Sequence, residues 1–389
     1  MSDGRGEAHE SRLWLWLLVG GGVLVALGLF ALPHDTWAEA LAQGVGGLLV
    51  VFAASETMIK AVEGVAGRTG MNTFVAGNMA GLASNIPELV MLAFVLLATP
   101  RVGFLVTLLT LHVGAAAFGL YSGLLPRDAE GGASMPAPLV KLSTDLYAAA
   151  AGVFFGVGVL MLLMKTFAPD PHAVQALDAR DLYVLGAMLL GVQVVAIVRM
   201  VRRFSGSDEG AAPQASEGGH GAPMSVAAIA GFSVLGLAAS VVGGHAVGDF
   251  ADFLVGRLNE AGYPEMLGAL LLSVFSASGA FVMIGMAHAQ KKYDIALANA
   301  SGAVTQVPFL VLPIAMILLA AFHQTGVIPS TGEGVIAIDL HTTSATLLAF
   351  PSMLVLWKAI QDDGKVNWVE TATMSALFLL VIYLLVGHG

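Results

Sequence analysis

Gly77-Asn78-Met79-Ala80-Gly81-Leu82-Ala83-Ser84-Asn85-Ile86-Pro87-Glu88-Leu89-Val90-Met91-Leu92-Ala93-Phe94 sits inside an apolar run from Thr73 to Ala98, long enough to cross a bilayer. Near its middle it carries a hydroxyl, an amide, a proline and a carboxylate, each a poor choice for a helix facing lipid. A charge at the bilayer centre costs roughly 2.5 to 3.5 kcal/mol on insertion scales, so Glu88 needs a partner, a proton or a cavity. Pro87 has no N–H to give and crowds the carbonyl one turn earlier, near Ala83, leaving that oxygen for another partner. Oxygens thus converge within one helical turn, a pattern suited to a hard cation or a proton. The competing reading is a kinked helix whose glutamate stays protonated and bonded to a neighbour.

The rest of the chain has the same character. Of its 389 residues 57% are hydrophobic and 11% charged, with a mean hydropathy of +0.82. Soluble domains carry about 25% charged residues, so this is an all-α polytopic membrane protein. The net charge of -10 argues against nucleic acid as a partner, and the absence of cysteine excludes disulfides and thiolate metal sites. The partners expected are the lipid bilayer and inorganic cations; the oligomeric state stays open. No Walker loop, zinc-protease pair, nucleophile elbow or Rossmann glycine pattern is present, so no enzyme is expected.

Hydropathy and breakers predict eleven spans, at 13–32, 37–66, 72–98, 102–125, 143–166, 181–201, 224–258, 264–289, 294–322, 341–359 and 367–387. The run from Leu13 to Leu32 follows Arg5 and Arg12 as a signal peptide would, but its hydrophobic stretch exceeds the usual 7 to 15 residues, which favours a retained helix. Residues 1–36 then form a tail and an extra N-terminal transmembrane helix. The stretch 204–222, rich in Gly, Ser and charge, reads as a flexible linker between halves at 37–203 and 223–389.

With the N-terminus inside, 13 of the 17 Lys and Arg fall on the cytoplasmic side; Arg101, Lys165, Arg180 and Arg257 fall outside. The N-terminus and linker are then cytoplasmic and the C-terminus is outside, in an inner or plasma membrane. Leaving aside the first span, five spans precede the linker and five follow it. An odd number per half sets the halves in opposite orientations, giving two inverted five-helix repeats. Their patterns correspond: a long first helix carries a polar group (Glu56; His245), and a glycine-rich second helix carries mid-helix hydroxyls (Ser84; Ser276 and Ser278).

These residues resemble the calcium/cation antiporter superfamily, which includes sodium/calcium and calcium/proton exchangers. Ala83-Ser84-Asn85-Ile86-Pro87-Glu88-Leu89 is similar to the family's G-T-S-L-P-E, and Asp294-Ile295-Ala296-Leu297-Ala298-Asn299-Ala300-Ser301-Gly302 to its D-I-A-L-G-N-x-x-G. Ser55-Glu56 and Val62-Glu63-Gly64-Val65-Ala66 look like its lead-in. The resemblance implies a ten-helix exchanger core plus the extra helix, with cations exchanged by alternating access. By match of motif it makes Ser84 and Glu88 cation ligands and sets Asn85 in place of a second hydroxyl. The second repeat departs from the pattern. Its counterpart of G-T-S-x-P-E is Phe275-Ser276-Ala277-Ser278-Gly279-Ala280, so alanine replaces the acid, and Gly302-Ala303-Val304-Thr305-Gln306-Val307 replaces G-S-N-I-x-N/D.

A calcium ion takes six to eight oxygens and usually more than one carboxylate, so one glutamate leaves the site a charge short. The transported cation is therefore calcium or a monovalent ion, exchanged against sodium or protons; no cofactor is expected. Glu88 is the expected principal ligand or proton carrier, with Ser84, Asn85, Ser276, Ser278 and Gln306 along the path. Because a histidine ordinarily titrates near neutrality, His112 is a candidate proton relay; a hydrogen-bonded core histidine is the alternative. The rival function is a membrane protein of the family's shape that does not transport and acts as a sensor or assembly partner.

Overall fold

The computed structural model describes residues 13–71, 73–167, 175–204, 224–328, 334–361 and 364–388. The expected linker, apart from its first residue, lies outside them. In order the elements are α1 (Leu13–Ala31), α2 (Trp37–Thr69), α3 (Thr73–Ala98), α4 (Pro100–Ser122), β1 (Ala133–Ser134), α5 (Ala137–Thr166), β2 (Ala176–Leu177) and α6 (Ala179–Phe204). The second half continues with α7 (Val226–Glu260), α8 (Glu265–Ala289), α9 (Tyr293–Gln306), a π-helical turn (Val307–Val311), α10 (Leu312–Gln324), β3 (Ile336–Ala337), α11 (Leu340–Gln361), β4 (Lys365–Val366) and α12 (Trp368–His388). Among the described residues eleven segments are long and apolar enough to span a membrane, with α9 to α10 forming one. The helix expected from 143 begins at Ala137, because prolines at 136 and 138 suit a helix entry, where no N–H partner is required.

The helices gather in two compact units, Met1–Thr99 with Ala196–Glu260, and Pro100–Val195 with Ala261–Gly389. Each unit draws helices from both halves of the chain.

In the first unit the two longest helices, α2 and α7, pack along each other. They cross where glycine faces glycine: a Cβ on Gly47 would lie 2.7 Å from the Gly243 carbonyl oxygen, and one on Gly243 2.7 Å from that of Gly47. Only a backbone without side chains fits there. α1 rests on α2 through a second such contact, between Gly21 and Gly46, and α3 lies on α7 with Met91 and Phe94 against Gly244. α2 starts at Thr36, whose hydroxyl accepts the Glu39 N–H, and stops at Gly70, whose φ of 66° a left-handed cap requires.

In the second unit α4 is the hub, buried along nearly its whole length and packed by α8, α9, α11 and α12, while α5 pairs with α11. Two short antiparallel pairs close the loops. β1 pairs β4 (Ala133 with Val366, Ser134 with Lys365), and β2 pairs β3 (Ala176 with Ala337, Leu177 with Ile336). β1 precedes α5 and β2 follows it; β3 precedes α11 and β4 follows it. Each pair thus joins the strand before one helix to the strand after its counterpart, the exchange expected of two repeats related by a two-fold axis in the membrane plane.

Candidate functional site

α1 supplies a ruler for depth. It is uncharged, 19 residues long, or ~28 Å at 1.5 Å per residue, the thickness of a hydrocarbon core. Its middle residue is Gly22, and Gly21 beside it meets Gly46. Gly46, Gly47 and Gly243 therefore lie near mid-bilayer. The Met91 backbone touches Gly244, so Glu88, three residues earlier on α3, is ~5 Å from that level.

α3 stays helical through Pro87. Within the first unit it carries three of the expected site residues. The Ser84 hydroxyl donates back to the Gly81 carbonyl at 2.7 Å, and the Asn85 amide donates to the same oxygen at 3.1 Å. Both are i−3 or i−4 bonds that the sequence does not announce, and they turn these groups toward their own helix. Ser55 of α2, part of the lead-in in sequence, bonds across to α3: its hydroxyl donates to the Ser84 carbonyl at 3.0 Å. The oxygen engaged is next to the Ala83 carbonyl that Pro87 leaves free. Glu88 is partly buried, and among the described residues no hydrogen-bond donor or charged group acts on it; burial alone describes its surroundings. Glu56 is partly buried, and besides that burial Lys60 and Glu63 on its own helix are the charges that act on it.

The second unit carries the others. Ser276, Ser278 and Ala280 are partly buried on α8, and the Ser278 hydroxyl donates to the Phe275 carbonyl at 2.6 Å. Gln306 closes α9, with its Nε2 3.6 Å from where a Gly302 Cβ would stand; the π turn begins at the next residue and contains Pro308. Such turns widen the ladder by one residue and recur at functional sites. His112 is 1% exposed. Its Nε2 lies 2.9 Å from the Ala345 carbonyl, so Nε2 carries the proton, and Nδ1 has no partner among the described residues.

The structure brings Glu88, Ser84 and Asn85 together on one helix, and Ser276, Ser278, Gln306 and His112 within the other unit. Sequence reading misses a buried serine–tyrosine knot, in which the Ser301 hydroxyl meets Ser143 at 3.0 Å and Tyr147 at 2.8 Å, tying α9 to α5. Ser301 stands inside the D-I-A-L motif, but nothing marks its partners. His288, near the Lys291–Lys292 end of α8, lies 3.3 Å from the Tyr121 hydroxyl. Among the described residues no three His, Asp or Glu side chains converge as metal ligands.

Comparison with known proteins adds a family match over part of the chain and a likeness of fold. Residues 226–387 match the family model described as sodium/calcium exchanger protein. No curated protein matches the chain. Among solved structures, the H+/Ca2+ exchanger CAX is similar at 14% identity with a TM-score of 0.64, over 98% of this chain and 91% of that one. The Ca2+/H+ antiporter protein YfkE is similar at 15% identity with a TM-score of 0.60, over 96% and 99%. The sodium-calcium exchanger NCX_Mj is similar at 14% identity with a TM-score of 0.51, over 87% and 97%. At such identities the likeness to these structures is one of fold.

Proposed function

We propose that this chain, whose residues 226–387 match the sodium/calcium exchanger family model, is a secondary active antiporter that exchanges calcium or a monovalent cation against sodium or protons by alternating access. The observation that carries the reading is Glu88, a carboxylate ~5 Å from mid-bilayer on which no donor or charge acts among the described residues. In hydrocarbon such a group persists only if a proton or a cation attends it. The motif reading adds Ser84 and Asn85 on the same helix and, within the other unit, Ser276, Ser278 and Gln306, with His112 as the candidate relay. The excess of Lys and Arg sets the N-terminus and linker in the cytoplasm and the C-terminus outside, in an inner or plasma membrane.

Flux in proteoliposomes tests the assignment. Glu88→Gln keeps the shape and removes the charge, so cation-driven and proton-driven flux should fall to background; flux at the native level would refute the role. A second reading is favoured by Ala280, the alanine where the matching motif has its acid: a family-shaped protein that does not transport and serves as sensor or assembly partner. Calorimetry separates the two, since saturable cation binding lost in Glu88→Gln supports the antiporter and no binding at any pH supports the sensor.

A further inference from the structure

One stripe of α7 changes chemistry half-way along. Val234, Leu237 and Val241 are 69%, 49% and 46% exposed; the same stripe continues at helical spacing with His245, Asp249 and Asp252. Between residues 243 and 252 these three are the exposed positions, and all the others are buried. The His245 and Asp249 side chains are 64% and 49% exposed and 3.8 Å apart.

The ruler of α1 shows that this happens inside the bilayer. Counting from Gly243 at mid-bilayer, His245 is ~3 Å and Asp249 ~9 Å toward the surface that holds Trp37, within a hydrocarbon half-thickness of ~15 Å. On α1 itself, Leu27, six residues beyond Gly21, is 46% exposed, and Phe30, further out, is 87% exposed, so apolar side chains still face outward at the height of Asp249. Trp37 packs edge-on against Phe253, an aromatic anchor of the kind that marks the interface, one turn beyond Asp249. A carboxylate open at that depth must meet water rather than lipid.

The groups that face Asp249 continue outward. His245, Asp252 and Glu39 of α2 are the charges that act on it, and Glu39 is bonded in turn to His34 at 2.9 Å. Arg257, further along α7, is held by Glu260 and by the Asp35 carbonyl. At the inner end the Phe94 ring lies 5.6 Å from that of His245, and Phe94 is six residues from Glu88 on the same helix.

We propose that His245, Asp249 and Asp252 line a water-filled vestibule that opens at the Trp37 surface and ends beside Phe94, ~8 Å short of the level of Glu88, as the outer part of the cation's route to it. The destination rests on the proposed function; the vestibule itself rests only on depth and exposure. Its acidic side chains concentrate cations at the mouth, and Phe94 of α3 stands between its inner end and Glu88.

The chain has no cysteine, so single cysteines report without background. In sealed vesicles a charged, membrane-impermeant thiosulfonate added on the Trp37 side should modify His245→Cys and Asp249→Cys at least ~10-fold faster than Val241→Cys, because a thiol ionises, and so reacts, only where water reaches it. The two test positions read the same lane independently, so a folding defect in one leaves the other. Reaction of both as slow as that of Val241→Cys would overturn the vestibule. So would disulfide-linked dimers of Asp249→Cys, which would show a second copy covering the stripe. Labelling needs no transport: rapid modification in a protein whose Glu88→Gln variant still transports would sink the site and leave the vestibule.

Discussion

The second helices of the two repeats, α3 and α8, share a plan and differ in charge. Each back-bonds a mid-helix hydroxyl to the carbonyl three residues earlier, Ser84 to Gly81 and Ser278 to Phe275. Each is also pinned by a serine bond to another helix: Ser55 reaches the Ser84 carbonyl on α3, and Ser273 of α8 reaches the Val106 carbonyl on α4 at 3.0 Å. Where α3 has Pro87 and Glu88, α8 has Gly279 and Ala280. The helices that follow diverge as well, since α4 runs unbroken while α9 passes into a π turn at Val307. Small residues and local serine bonds therefore hold the repeat, and the acid is separable from it.

Restoring that acid is the strongest way to sharpen the contrast. Ala280→Glu gives α8 the acid that α3 carries, and any cation that passes position 280 should feel it. One extra charge–charge contact at 4 Å is worth about 4 kcal/mol at an effective dielectric of 20, so preference for a divalent over a monovalent ion should rise by up to about a thousandfold. Competition of calcium against sodium in flux or binding reads it directly. An unchanged preference would mean that α8 does not contribute to the site.

Equivalence of the repeats has its own test at the glycine crossing. A Cβ on either Gly47 or Gly243 would meet the other's carbonyl at the same 2.7 Å, so leucine at either should cost about the same, roughly 1–3 kcal/mol of overpacking. Thermal unfolding in detergent would show it. A large loss at one position with none at the other would break the two-fold reading of α2 and α7.

Much of this architecture is legible without coordinates. Runs of apolar residues place the spans, because hydrocarbon admits little else, and an odd count per half implies inversion. The strand exchange is not legible: two-residue strands such as Ala133–Ser134 have no periodicity to detect, and their partners lie more than 150 residues away. Nor is the His112 bond to Ala345, 233 residues distant. Prolines at 308 and 313 signal an irregular ladder, but whether it kinks or widens depends on packing around α9. At the site itself Glu88, Ser84 and Asn85 are readable as types, whereas their hydrogen bonds, which decide what each has left to offer a cation, are not.

The two strand-bearing ends of the second unit differ too, and this gives a smaller effect. Near β1 and β4 the Arg127 guanidinium donates to the Gly131 and Val366 carbonyls at 2.9 Å, to the Ser122 carbonyl at 3.1 Å and to the Thr371 hydroxyl at 2.8 Å, and lies 3.8 Å over the Trp368 ring. Near β3, Arg101 is 45% exposed and pairs with Glu265 at 3.1 Å and with Asp339. A lysine cannot reproduce a planar fork with four acceptors. Arg127→Lys should therefore lower stability by about 1–2 kcal/mol, and Arg101→Lys, a screened surface pair, by well under about 1 kcal/mol. Equal losses in denaturation assays would mean that the two ends are anchored alike.

The smallest expected effect lies in the same loop and separates charge from backbone. Asp128 bonds Lys365 at 2.9 Å and accepts the Gly132 and Glu130 N–H groups, and these bonds, the Lys365 one foremost, bring its carboxyl down to about 2. An aspartate in the unfolded chain titrates near 3.9. The folded state thus binds its proton less readily, so the stabilisation is whole above that unfolded value and disappears as pH falls through about 2. Because the pair is exposed, salt should shrink the effect. The thermal midpoint of the native protein should therefore fall between pH 5 and pH 2 slightly more than that of Asp128→Asn, and the difference should close in high salt. Parallel pH profiles would show that the backbone pairing of β1 with β4 holds this end without the ion pair.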